Sequence, residues 1–416
     1  MTESAQRRFA REVVAALREA GHEALWAGGC VRDALLGKTP KDYDIATGAE
    51  PEQVQTVFGR RRTIPVGASF GVITVLGPRG VGPIEVATFR ADGKYVDGRR
   101  PETVRFTTAE EDAQRRDFTI NGLFYDPVED RVIDYVGGQD DLRAKTLRAI
   151  GDPAARFAED KLRMLRAARF ATTLEFEIEP ATMAAIRGMA DQLSVVSAER
   201  IGSETSRLLT HPHAGRGLAL LGECGLLATV FPELAAWAAA DSTEWRAAGE
   251  RLEALGGGPL PTALAATLLE LPKVDTPAVG RRLRLTKKDA ADAGWLIESV
   301  AVVEAAEGLP WSRLQPWLAD PRAAELLKLS AAALGEGHAG LVRCRAELGR
   351  EREQLDPPPL VSGSDVLGLG YPPGPGIAAA LKSARDGQLD GRLATKEQAL
   401  EHLRRGLPGG RDSASE

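Results

Sequence analysis

Cysteine and histidine are scarce in this chain of 416 residues, which holds three of the first and five of the second. Cys30, Cys224 and Cys344 lie far apart and form no CxxC pair, so a disulfide framework or a zinc cluster has little footing, and a reducing cytoplasm is the expected location. No run of about 18 consecutive apolar residues occurs, and none of the chain reads as a membrane span. The opening MTESAQRRFAREVVAALREAG is patterned as an amphipathic helix and lacks the apolar core of a secretory signal. Charge of one sign is also missing. The chain carries 53 Lys/Arg against 59 Asp/Glu, a formal net charge of −6, and residues 1–150 hold 22 against 23, so there is no segregated basic domain. That balance argues weakly against a nucleic-acid partner, whose phosphates are ordinarily neutralised by Lys and Arg, although local clustering can still supply the contacts.

What is present is ordinary globular material, 43% hydrophobic and 27% charged, in a length that suits roughly two to four domains. After the first helix, EALWAGG is a short apolar run ending in two glycines, and CVRDALLG follows with helical periodicity: strand, glycine turn, helix. KDYDIAT, RRRTIPVG, FGVITVLG and GPIEVATFR read as further strands, which predicts a five-stranded, mixed or antiparallel sheet with helices. The polar, aperiodic stretch over 91–108 is expected to be a mobile segment over the site. From about residue 153 the periodicity is helical throughout. The expected fold class is therefore α+β, with a small mixed-sheet head at 1–150, a helical neck and body at 151–235, a helical body and tail at 236–405, and a disordered end at 406–416. GGGPLPT at 256–262 and DPPPLVSG at 356–363 are candidate boundaries, and no internal repeat is found.

The chemistry concentrates in Gly28-Gly29-Cys30-Val31-Arg32-Asp33 and, nine residues on, Asp42-Tyr43-Asp44. Glycines at a strand-to-helix turn let backbone amides approach a triphosphate, and Arg32 can pair with its oxygens. Asp42 and Asp44, two apart on a strand, place both carboxylates on one face, where hard oxygen donors can share magnesium. Glu85 is an acid inside the apolar strand IEVATFR and is the third candidate ligand. Three such carboxylates suit two Mg2+ ions that activate a hydroxyl and neutralise a leaving pyrophosphate. A glycine pair or a DxD alone is commonly an ordinary turn or a solvated strand. Their order here, with Arg32 and Glu85, points to nucleotide chemistry. Asp33 needs no such role, because an acid in the first turn of a helix is favoured by the dipole.

On these residues, GGCVRDALLGKTPKDYDIAT resembles the signature of the class II tRNA nucleotidyltransferase and bacterial poly(A) polymerase family, within the polymerase-β-like superfamily. DAQRRDFTIN at 112–121, DYVGGQDDLRAKTLR at 134–148, EDKLRMLRAARF at 159–170 and AERIGSETSRLL at 198–209 resemble its second to fifth motifs, in order. The resemblance covers about residues 20–235 and implies roles position by position. Arg116 and Asp117 hold the ribose and phosphates of an incoming nucleotide. Asp160 and Arg163, taken as i and i+3 on one helical face, offer acceptors and forked donors to a base edge. Arg166 and Arg169 reach the triphosphate. Glu199, Arg200 and Glu204 of the fifth motif brace the neck, outside the site. The segment containing Asp97-Gly98-Arg99-Arg100-Pro101 looks full length, which disfavours an enzyme that adds only CC. Without a His-Asp dyad, the phosphohydrolase domain appended in some relatives is not expected.

The implied activity is addition of CCA to the tRNA 3′ end from CTP and ATP. Addition of the terminal A alone and poly(A) synthesis remain open on the same motifs. A silent RNA-binding module conflicts with the intact Asp42, Asp44 and Glu85, and transfer to an aminoglycoside or a protein conflicts with the base-reading pair. Arg60-Arg61-Arg62 and HLRRG near the end are read as solvated surface.

Overall fold

The computed structural model describes residues 4–67, 71–93 and 104–406. The chain divides into two compact units, Met1–Trp245 and Arg246–Glu416.

In the first unit, α1 (Ala5–Glu19) buries Phe9, Val13, Val14 and Leu17, one stripe of an amphipathic helix, and Ser4 caps it by accepting from the Arg7 N–H at 3.1 Å. It packs on β1 (Ala24–Ala27), whose four residues are all buried because the strand is covered on both faces. Then follow α2 (Gly29–Leu35), β2 (Asp44–Thr47), α3 (Pro51–Phe58), β3 (Thr63–Gly67), β4 (Val72–Val75) and β5 (Ile84–Thr88). Arg60–Arg62, expected as the start of β3, form a 3₁₀ turn ahead of it with no buried residue.

The sheet has seven strands, not five, in the order β3-β4-β5-β2-β1-β8-β9. The two additions, β8 (Phe124–Asp126) and β9 (Arg131–Ile133), are three residues each, too short to show alternation. The sheet is mixed: β2 and β5 run parallel, and the other neighbours are antiparallel. The ends of the expected mobile segment also pair, as β6 (Arg90–Asp92) and β7 (Val104–Phe106), while Asp97 to Pro101 lie outside the described residues. Between β7 and β8, α4 (Ala109–Gln114) lays Ala109 and Ala113 against Leu25, Ala27, Ala46 and Phe124 of the sheet.

After β9 come α5 (Gly138–Arg143) and β10 (Thr146–Leu147), then α6 (Pro153–Glu159), α7 (Leu162–Leu174), β11 (Glu177–Ile178), α8 (Pro180–Met189), α9 (Ala198–Leu209) and α10 (Ala214–Glu223). Helix α7 is buried nearly all round, with α9 and α10 packed on it. Phe170 of α7 meets Phe118 edge-on, with ring centroids 5.9 Å apart, and so joins the neck to the segment just before the 3₁₀ turn Thr119–Asn121.

The second unit is helical. Leu260–Leu268 is its most enclosed helix and packs on Lys287–Glu304, and a separate cluster of Val361, Val366, Ala380, Ala384 and Leu403 forms the core of the C-terminal helices. Gly256–Gly258 links two helices of this unit. No helix among the described residues is long and apolar enough to cross a membrane.

Candidate active site

A cleft of about 620 Å³ opens over the ends of β1, β2 and β5 and the first turns of α7. The strands contribute the small residues Ala27, Ala46 and Ala87 to its lining, together with Ile45, Asp44 and Glu85. Eleven of the twelve residues singled out in the sequence line it: Gly28, Gly29, Arg32, Asp44, Glu85, Arg116, Asp117, Asp160, Arg163, Arg166 and Arg169. Asp42, which is exposed, is not among the lining residues.

Gly28 ends β1 with φ +71° and ψ −123°, and its N–H donates to the Leu123 carbonyl at 3.0 Å. The positive φ favours glycine here, and a Cβ would stand 2.9 Å from Nη1 of Arg116, so a side chain would also displace the end of that guanidinium. Arg32, 9% exposed, donates to Oδ1 of Asn121 at 2.7 Å and to Asp33 at 2.8 Å. Asp33 therefore has a structural use, holding Arg32.

Asp44 opens β2 and pairs in register with Glu85 across the parallel β2–β5 ladder, so both carboxylates leave the same face. Asp42 precedes the strand instead of lying on it. Because β1 ends where Gly28 turns its N–H to Leu123, residues before Asp44 have no β1 neighbour to pair with. The exposed, buried, exposed pattern of Asp42, Tyr43 and Asp44 nevertheless continues the alternation. Asp44 is solvent-accessible as a residue, yet enclosure of its carboxyl and the charge of Glu85 push it up to about 6, with Arg116 drawing it back and Asp42 adding to the rise. Among the described residues, no group of three or more His, Cys, Asp or Glu is drawn together as a finished metal cage.

The second motif does not use Arg116 and Asp117 as a pair with each other. Arg116 is held by Asp112 at 3.0 Å and lies over the Phe124 ring at 4.9 Å. Asp112, 1% exposed, also takes Arg115 at 2.7 Å and the Arg90 N–H at 3.2 Å. Burial works to raise its pKa, and Arg116 and Arg115 more than reverse that. Asp117 accepts from Arg166 at 2.7 and 2.9 Å and from Asn121 at 3.0 Å. Against the effect of burial, Arg166 and Asn121 bring its carboxyl down to about 2.

In the fourth motif, Asp160 is not on the helical face with Arg163. It is extended, with φ −144° and ψ 104°, between α6 and α7, and accepts from the Leu162 N–H at 3.1 Å. Asp is favoured in such a capping place, where its carboxylate meets the unsatisfied amides of a helix start. Arg200 grips it through two bonds, 2.6 and 3.1 Å. Arg163, 8% exposed, donates to the carbonyls of Arg156 at 2.9 Å and Arg115 at 3.1 Å and pairs with Glu159. The fifth motif thus reaches further than bracing: Arg200 and Arg207 line the cleft, and Glu204, 4% exposed, pairs with Arg169. An acid among the buried positions Ile201, Thr205 and Leu208 of α9 was the available signal for Glu204. Nothing local distinguishes Arg200 or Asn121.

The third motif contributes no lining residue to the cleft. Asp134 accepts from the amides of Val136, Gly137, Gly138 and Gln139, and Asp141 accepts from the Thr119 hydroxyl at 2.7 Å, which steadies the second motif.

The chain matches the family model described as Poly A polymerase head domain over residues 24–148, and that described as Probable RNA and SrmB- binding site of polymerase A over 175–238. It is 38% identical over 325 residues to the CCA-adding enzyme of Geobacillus thermodenitrificans, covering 77% of each protein. With the CCA-adding enzyme of Geobacillus stearothermophilus it shares 35% over 402 residues, 93% of this chain and 94% of the relative. The crystal structure of the Bacillus stearothermophilus CCA-adding enzyme in complex with CTP superposes with a TM-score of 0.79 at 30% identity, over 97% of this chain and 98% of the other. With the glycine turn, the strand carboxylates and the arginine wall in one cleft, the chain belongs to the CCA-adding enzyme and poly(A) polymerase family of nucleotidyltransferases.

Proposed function

We propose that this protein adds CCA to the tRNA 3′ end from CTP and ATP without a nucleic-acid template. One observation carries the reading: a single cleft holds carboxylates on one edge, arginines along its wall, and Asp160 with Arg163 at the start of α7. In this reading the amides of Gly28 and Gly29, with Arg32, Arg166 and Arg169, bind the triphosphate, Arg116 and Asp117 orient the ribose, and Asp160 and Arg163 face the base edge. Arg163 spends both terminal nitrogens on the fold, Nη1 on the Arg156 carbonyl and Glu159 and Nη2 on the Arg115 carbonyl, which leaves its Nε–H as the donor for a base acceptor.

Nucleotidyltransferases of this family are in general metal-dependent. The residues fit magnesium by chemistry and register: Asp44 and Glu85 are paired hard donors, and Asp44 is raised by enclosure first and then by the charges of Glu85 and Asp42, a repulsion that a cation offsets. Asp42, Asp44 and Glu85 would hold two Mg2+ ions, which supply acidity to the attacking hydroxyl and charge neutralisation to the departing pyrophosphate. The chain itself positions the reactants. The RNA 3′ oxygen bonds to the α-phosphorus, the bond to pyrophosphate breaks on the opposite side, and the hydroxyl proton passes to water. Residues 1–150 would form the catalytic head, 151–235 the base-recognition neck and 236–405 the RNA-binding body of a cytoplasmic enzyme.

The test is transfer from labelled CTP and ATP, singly and together, onto tRNA transcripts ending before CCA, after C and after CC, resolved at one nucleotide. Incorporation that stops at CCA is expected. ATP transfer confined to the CC-ended transcript would make this an A-adding enzyme, and long A tails a poly(A) polymerase.

A further inference from the structure

Phe170, 7% exposed on α7, collects three guanidinium groups around one ring: Arg169 lies 4.0 Å from its centroid, Arg166 5.1 Å and Arg32 5.2 Å. Two of these come from α7 and one from α2. The ring is set in turn by Phe118, at 78° to it. Each cation also has a carboxylate partner: Asp33, next to it on α2, for Arg32 at 2.7 Å, Asp117 for Arg166 at 2.7 Å, and Glu204 for Arg169, with Arg166 also 3.7 Å from Glu204. A guanidinium is planar, with N–H edges that take hydrogen bonds and faces that take π systems. A carboxylate on an edge and a ring on a face together fix its position and its tilt. Three like charges this close repel, and the negative face of the ring offsets part of that repulsion where the acids cannot reach. All four residues line the cleft.

We infer that Phe170 is a positioning residue for nucleotide binding, whose ring holds Arg32, Arg166 and Arg169 at the spacing a triphosphate meets. The inference rests on the reading that these arginines bind the triphosphate. It assigns Phe170 a role in ground-state affinity for phosphates, separate from the transfer step, from primer binding and from its share in the core.

The test replaces Phe170 in the full chain with 4-fluoro-, 3,5-difluoro- and 3,4,5-trifluorophenylalanine. Ring shape is nearly constant along this series while the negative face weakens stepwise. The KM for CTP and the inhibition constant of pyrophosphate are expected to rise with each fluorine, to about tenfold at three. The kcat and the KM for the tRNA primer should stay within about twofold. Phe170→Leu, which keeps an apolar side chain, should weaken pyrophosphate by a similar factor, with a melting curve to show that it folds. A flat fluorine series overturns the inference, whatever Phe170→Leu does, because the ring would then act by packing alone. Arg166→Ala and Arg169→Ala separate the two levels. If they leave pyrophosphate inhibition unchanged, the reading of the arginines falls; if they weaken it while the fluorine series is flat, only the role of Phe170 falls.

Discussion

A guanidinium with 8% exposure has to find acceptors, and Arg163 finds two carbonyls and Glu159. It therefore supports the neck as well as facing the cleft, and its replacements should separate the two uses. Arg163→Ala leaves a carboxylate and two carbonyls short of donors and is expected to cost about 3 kcal/mol of stability, read from urea melts. Arg163→Lys keeps the charge but loses the fork, so it should stay folded and misincorporate the wrong nucleotide more often. Unchanged base choice in a folded Arg163→Lys variant would remove this residue from the base-reading pair. Asp42 is the opposite case, being exposed. Asp42→Ala is expected to abolish transfer, by about a thousandfold or more, with an unchanged melting temperature. Full residual transfer would sink its assignment as a metal ligand. Asp117 makes a pH-dependent contribution. Its carboxyl is lowered from 3.8 to about 2 in the folded protein, so the stabilisation is present above pH 4 and is lost as pH falls through 2. The stability gap between the wild type and Asp117→Asn should be about 2 kcal/mol larger at pH 7 than near pH 2, measured by denaturant titration. A gap that does not narrow on acidification would show that the Asp117–Arg166 pair contributes no such linkage.

At the scale of elements, the cleft depends on parts that never enter it. Helix α5 abuts the 3₁₀ turn of the second motif so closely that a Cβ on Gly138 would fall 2.2 Å from the Thr119 carbonyl oxygen. Gly138→Ala is thus expected to destabilise the first unit by about 2–3 kcal/mol and to weaken CTP binding, although no ligand is expected near it. A melting temperature equal to that of the wild type would mean that α5 shifts without cost. Elements differ in how far their sequences announce them. The strand, turn and helix of ALWAGGCVRDAL are plain, since an apolar run, two glycines and a change of period coincide. The strands β8 and β9 are not, because three residues cannot display a period. The capping position of Asp160 is equally hidden: a spacing of three fits a helical face and a helix start alike, and the difference lies in one extended residue.

At the scale of the whole molecule, two units with separate cores are expected to unfold in more than one step. Calorimetry should give a calorimetric enthalpy above the van't Hoff value. CTP at about a hundred times its Kd should stabilise only the transition of the unit holding the cleft, by about 2.7 kcal/mol. If both transitions move together, the units form one cooperative body. The net charge of −6 hides the arginines of the cleft because each has an acidic partner nearby, so the balance read from composition is local neutralisation inside the site. The linear chain by itself determined the α+β class, the glycine turn and the acids Asp44 and Glu85, because each rests on residue type and short-range period; the family resemblance added Arg116, Arg163, Arg166 and Arg169, and the fold added Arg200 and Arg207 to the arginine wall. Only the tertiary structure decided that Asp160 answers to Arg200, Asp117 to Arg166, Arg169 to Glu204, and that three arginines share Phe170. Those partners lie on different elements, and which charge meets which is set by how sheet and helices pack.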